Sequence, residues 1–130
     1  MSSAEKVHIL VVEDNPDMLE IYTNMFKGES RFEVDMLSDA MHALRRLEDK
    51  KYDLVILDII MEPLTGESFF VYLRGNAKTM HLPVVVVSVL EPHTLDALKR
   101  LNHSTILQKP IHKDELFKAI DEMLSRRTNR

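Results

Sequence analysis

The chain has 130 residues, a formal net charge of −4 and no cysteine. Its length favours one domain that buries roughly two-thirds of its unfolded surface, and with 45% apolar and 29% charged residues it is globular in composition. These features exclude disulfides and thiolate metal sites, argue against a dedicated nucleic-acid binder with its basic face, and leave no apolar run near the roughly 20 residues that a membrane helix needs.

The start, Met1 to Lys6, is polar and has no hydrophobic signal segment. A cytoplasmic location, with no direct nucleic-acid or membrane contact, is the expectation. The first apolar run, Val7 to Val12, is apolar on both faces and ends in Glu13-Asp14. Such a run suits a strand covered by helices on both sides. Asn15-Pro16 then reads as an N-cap with proline at the first helical position. Met18, Leu19, Tyr22, Met25 and Phe26 follow at helical spacing, and Gly28 stops the helix. The second run, Phe32 to Leu37, alternates instead, as an edge strand with one wet face would.

Ser38 or Asp39 caps the next predicted helix, which turns Ala40, Ala43, Leu44 and Leu47 inward. The third run, Leu54 to Leu57, ends in Asp58. A short helix over Gly66 to Arg74 carries Phe69, Phe70 and Leu73. The fourth run, Val84 to Val87, ends in Ser88. Leu95, Leu98 and Leu101 mark a fourth helix. The fifth run, Thr105 to Gln108, ends in Lys109-Pro110, and a fifth helix opens near Lys113 and buries Leu116, Phe117, Ile120, Met123 and Leu124.

The order is five β-α units with short links, which implies an α/β fold: a doubly wound, five-stranded parallel sheet flanked by five helices. A single domain over 1–130 is expected, with its core at about 7–124. Right-handed crossovers and a wet second strand fit the order 2-1-3-4-5, whose switch point lies beside strand 1. The basic tail Arg126 to Arg130 reads as favourable charge at a helix C-terminus.

Parallel strands end along one edge, so four polar strand ends would converge there. Singly, each has a plainer role. An Asp after a strand caps helices or makes turns, Ser88 is a cap, and Lys109-Pro110 is a turn. Together they make one chemical set. Glu13, Asp14 and Asp58 would repel one another unless neutralised. A hard divalent cation such as Mg2+ does this with oxygen ligands. No His-x-x-x-His or similar pair occurs, so a soft-metal site is not expected. Lys109 would be redundant for a metal alone, but it makes sense if a further anion arrives. Phosphoryl transfer depends mainly on positioning and charge neutralisation, and an Asp carboxylate can be its nucleophile. Asp58, the lone carboxylate of the central run, is the candidate nucleophile. Glu13 and Asp14 are placed to hold the metal, and Ser88 and Lys109 to contact phosphoryl oxygens.

With Ile9 to Pro16, Asp58 followed by Met61 and Gly66, Ser88 and Lys109-Pro110, the chain resembles the receiver domains of two-component response regulators. The resemblance runs from about Val7 to Leu124. It implies a flavodoxin-like sheet of order 2-1-3-4-5. It also implies that Asp58 accepts a phosphoryl group from a phosphohistidine on a sensor histidine kinase or histidine phosphotransfer domain. The backbone carbonyl of Ile60 would join Glu13, Asp14 and Asp58 on Mg2+, and the Lys109-Pro110 peptide would be cis. The chain would catalyse only its own phosphorylation and dephosphorylation.

Several positions depart from the family pattern. The acidic pair is Glu-Asp where Asp-Asp is also common. Glu62 separates Met61 from Pro63. Val89 stands where Ala or Gly is common. Ile106 stands where Tyr or Phe usually acts as a rotameric switch coupled to the Ser/Thr hydroxyl. An output protein of unknown identity, or a second copy in a homodimer, would dock on the 93–126 face, where Lys99, Arg100, His103, Lys113 and Lys118 lie. The alternative is a phosphorylation-independent interaction module, which Ile106, Val89 and the altered loop motivate. A haloacid-dehalogenase-like phosphatase fits poorly, because the second Asp it needs two residues after the nucleophile is Ile60 here.

Overall fold

The computed structural model describes residues 6–58, 66–89 and 103–128. In chain order the elements are β1 (Val7–Val12), α1 (Pro16–Phe26), β2 (Phe32–Leu37), α2 (Ala40–Asp49), β3 (Leu54–Asp58), α3 (Gly66–Arg74), β4 (Val84–Ser88), β5 (Ser104–Gln108) and α4 (Lys113–Thr128), the predicted fifth helix. The described residues thus hold four helices where the sequence predicts five. The predicted fourth, around Leu95, Leu98 and Leu101, lies outside them.

All four strand pairings are parallel, and the sheet order is β2-β1-β3-β4-β5. The alternating run does occupy an edge: among the described residues β2 pairs only with β1. Central strands with apolar side chains on both faces feed two separate cores, because successive side chains point to opposite faces. Leu10, Val12, Val55, Leu57, Val84 and Val86 pack on one face with Ala43 and Leu47 of α2 and Phe69 and Leu73 of α3. Ile9, Val11, Leu54, Ile56, Val85 and Val87 pack on the other with Tyr22 and Phe26 of α1 and Leu116 and Ile120 of α4. Ile56, at 1% exposure, lies in the middle of the second core. Truncating it to Ala is expected to cost about 2–5 kcal/mol, from lost transfer energy plus the cavity left behind. Urea denaturation should show a lower midpoint with an unchanged slope.

Local chemistry sets the helix ends nearest the site. The Asn15 side chain accepts from the backbone N–H of Asp17 (2.8 Å) and Met18 (3.3 Å), so α1 begins just behind Glu13-Asp14. Beyond α1 the chain turns at Gly28, whose φ of +82° an L side chain rarely adopts. Of the two candidate caps for α2, Asp39 is the one that acts, accepting from the Met41 N–H at 2.7 Å. Among the described residues no helix is long and apolar enough to cross a membrane.

Candidate phosphoacceptor and metal site

Strand register brings the polar ends together. Val12 of β1 is opposite Leu57 of β3, so Glu13 comes level with Asp58. Asp58 pairs with Val87 of β4, and Ser88 with Gln108 of β5. Lys109 follows directly, and its backbone N–H donates to the Ser88 carbonyl at 2.7 Å. The Glu13 N–H extends the ladder on the other side by donating to the Leu37 carbonyl.

One carboxylate oxygen each from Glu13, Asp14 and Asp58 lies within 4.8 Å of the others. The Lys109 ammonium donates to both Glu13 Oε1 and Asp58 Oδ2, each at 3.3 Å. Glu13 and Asp58 are buried, at 1% and 7% exposure, while Asp14 is open to solvent. The second Glu13 oxygen accepts from the Asn15 backbone N–H at 3.1 Å.

Removing two carboxylates from water is costly. Burial pushes the Glu13 carboxyl up to about 7, and the neighbouring Asp58 charge adds to the rise. The Asn15 N–H and the Lys109 ammonium pull the other way but do not cancel it. The Tyr22 phenol on α1 is raised as well, first by its burial and then by the Glu13 and Asp58 charges.

Among the described residues the donor set suits Mg2+: three carboxylates, no sulfur and no imidazole. With all three carboxylates ionised, Lys109 leaves two negative charges, which a divalent cation would balance. Such a cation supplies Lewis-acid neutralisation of oxygens that gather charge. Ile60, the remaining expected ligand, lies outside the described residues, as do Met61, Glu62 and Pro63.

Of the other expected site residues, Ser88 is fully buried at the end of β4, on the same sheet edge. The Lys109-Pro110 peptide is cis, as the resemblance implies. Val89 is 62% exposed beside the site. Ile106 is partly buried and packs against the core on the α2 and α3 side. On the expected docking face, Lys99 and Arg100 lie outside the described residues. Lys113 is turned away to pair with Glu29 at 3.3 Å, and Lys118 is exposed.

Sequence reasoning missed two parts of the site. Asn15 reads as a helix cap, and it is one, but its backbone N–H also holds Glu13. Tyr22 reads as plain core, although the inward face of α1 carries it towards the carboxylates. The signal for both is that α1 starts at the site, so its first turn and inner face must border it.

Known proteins share this fold and its sequence pattern. The family model of the response regulator receiver domain matches residues 9–121. The chain is 30% identical over 125 residues to the response regulator Rre1 of Synechocystis sp., covering 95% of this chain and 54% of that protein. It thus spans about half the length of that relative, and smaller shares of others. In structure it resembles a sensor protein from Polaromonas sp. JS666, with TM-score 0.83, 25% identity, and coverage of 92% of this chain and 97% of that one. It also shares the fold of a sensor histidine kinase receiver domain from Pseudomonas aeruginosa PAO1, with TM-score 0.81, 23% identity, and coverage of 92% and 98%. The Pseudomonas receiver domain holds a magnesium ion coordinated in its active-site cleft.

Proposed function

The chain belongs to the response regulator receiver domain family, and on that premise we propose that it is a phosphoacceptor switch in which Asp58 takes a phosphoryl group from a phosphohistidine. Signalling, rather than turnover of an external substrate, is the role of the family. The observation that carries the residue assignment is the buried pair Glu13 and Asp58 bridged by one ammonium, Lys109, with Asp14 completing a three-carboxylate cluster.

In this reading an Asp58 carboxylate oxygen attacks phosphorus. A P–O bond forms, the P–N bond of the phosphohistidine breaks, and the electron pair leaves on the imidazole. Glu13, Asp14 and Asp58 would hold Mg2+, with the Ile60 carbonyl as the further ligand that the family resemblance implies, and the cation would supply charge neutralisation for the incoming anion. Lys109 leaves its bridge between the carboxylates to meet a phosphoryl oxygen, and the Ser88 hydroxyl meets another. Phosphorylation then biases two conformations, because the phosphate makes contacts in one that it lacks in the other. The partners proposed are a sensor histidine kinase or phosphotransfer domain upstream and an output protein on the 93–126 face. The receiver unit proposed is a single one, with its core at about 7–124, working in the cytoplasm, and a second copy in a homodimer is the alternative occupant of the same face.

The test is intact-mass spectrometry after incubation with a small acyl phosphate. One phosphoryl adduct per chain is expected with Mg2+ and none with EDTA. No adduct from either the acyl phosphate or a cognate kinase overturns the proposal.

Ile106 favours a second reading, a module that binds its partner regardless of phosphorylation. It lacks the aromatic ring of the usual switch and is held in the α2- and α3-side core. That reading predicts partner affinity unchanged in Asp58→Asn. A clear gain or loss of binding rejects it.

A further inference from the structure

At the opposite end of the sheet from the carboxylates lies a cleft of about 410 Å3. One wall is the turn from α2 into β3, and the other is the turn from α3 into β4. Its volume is within the range of small-molecule sites.

The cleft carries charge of one sign. Lys50, Lys51 and Lys78 line it together with the His81 imidazole, and no described Asp or Glu does. In a chain of net charge −4 this is a local departure from the rest of the surface. The Lys50 ammonium is neutralised from behind by Asp35 at 2.9 Å. Lys51 and Lys78 are exposed, and neither forms an ion pair with a described carboxylate. Behind the cations, the largely buried Leu47 and Leu82, each 8% exposed, present a small apolar floor.

The wall bearing Lys78 and His81 is pinned in place. The Thr79 hydroxyl donates to the Leu73 carbonyl at 2.7 Å, and the Lys78 N–H to the Asn76 side chain at 2.9 Å. The Arg74 guanidinium donates to the carbonyls of Thr79 (3.2 Å) and His103 (3.1 Å). His81 Nδ1 lies 3.2 Å from His103 Nε2. A wall already ordered costs little further entropy when a ligand arrives.

We propose that this cleft is a second, anion-binding site that takes a small organic phosphate of the nucleoside diphosphate class. The flat apolar part of the ligand would lie against Leu47 and Leu82. Its phosphates would lie between Lys51, Lys78 and His81, where lysine acts as a point charge for phosphate. An acidic peptide suits the site less well, because the cations cluster at one concavity instead of running along a stripe. The site uses none of the phosphoacceptor residues and needs no metal.

The test is calorimetric titration of ADP into the protein in EDTA at low salt, where the carboxylate site holds no Mg2+. Saturable binding with a dissociation constant below about 1 mM is expected. The double variant Lys51→Glu, Lys78→Glu should weaken it by about tenfold or more. Lys27→Glu, a charge reversal on an exposed residue just past α1, should leave it unchanged. Added salt should weaken binding, since the attraction is between exposed charges. The proposal is overturned by absence of saturation, by equal affinity in the double variant, by inorganic phosphate binding as tightly as ADP, or by a Glu-rich peptide binding more tightly than ADP.

Discussion

Asp58→Asn is expected to take up no phosphoryl group from an acyl phosphate in Mg2+, under conditions where the unaltered chain is expected to gain one. The carboxamide keeps the shape of the side chain at the end of β3 but has no anionic oxygen to attack phosphorus. The initial rate of labelling should fall by at least about a thousandfold, the scale of losing a covalent nucleophile. The variant should remain folded and be at least as stable as the parent in metal-free buffer. The neutral amide would relieve the repulsion with buried Glu13, which the Lys109 ammonium offsets only in part. Intact mass and urea denaturation on the same preparation separate the two effects. A full adduct on a folded Asp58→Asn protein would place the phosphoacceptor elsewhere.

In metal-free buffer, the contribution of Glu13 to stability is expected to fall as pH rises from 4.5 towards about 7. Its carboxyl titrates near 4.5 in the unfolded chain and near 7 when folded. Between those values the native state binds more protons than the unfolded one, so the linkage slope is negative. The stabilisation is fully present below 4.5 and is lost as pH passes about 7. The loss is on the order of 3 kcal/mol. Glu13→Gln removes this component and should raise stability at pH 8 in EDTA by a similar amount. Mg2+ bound at the proposed site would act in the opposite sense. A cation on the carboxylates favours their ionised form, so its binding releases a proton below pH 7 and stabilises most at high pH. Urea midpoints at pH 5 and 8, in EDTA and in Mg2+, check both parts. The quantity to compare is the difference between the unaltered chain and Glu13→Gln, because other titrating groups cancel in it. A difference that does not change with pH would sink the assignment to Glu13.

The fold was legible wherever a run of residues had only one solution. Val84 to Val87 is too short for a buried helix and too apolar for a wet strand, so it had to be covered on both faces. Phe32 to Leu37 alternates, so it had to sit at an edge. Parallel strands end together, which is why Glu13, Asp14, Asp58 and Lys109 meet although up to 96 residues separate them. The choice between Ser38 and Asp39 as the α2 cap was not legible, because both side chains can accept from the first turn. Nor was the turn of Lys113 towards Glu29, since helical spacing alone does not say which neighbour a surface ammonium will meet. The basic cleft was invisible for the same reason. Lys51 and Lys78 come from separate turns, and neither stretch carries a motif.

The sequence by itself determined the order of the elements and the chemical types at the strand ends, because alternation, capping and apolar run length are local properties. Only the tertiary structure decided what those types become. Glu13 and Asp14 are neighbours with similar carboxyls, yet one is buried beside Asp58 and pushed up to about 7, while the other stays in water. The difference comes from the ladder that β1 continues through the Glu13 N–H to Leu37 and from the start of α1 behind it. These draw Glu13 into the sheet edge and release Asp14 to solvent. Burial and the charge of a distant neighbour, not residue identity, separate the two.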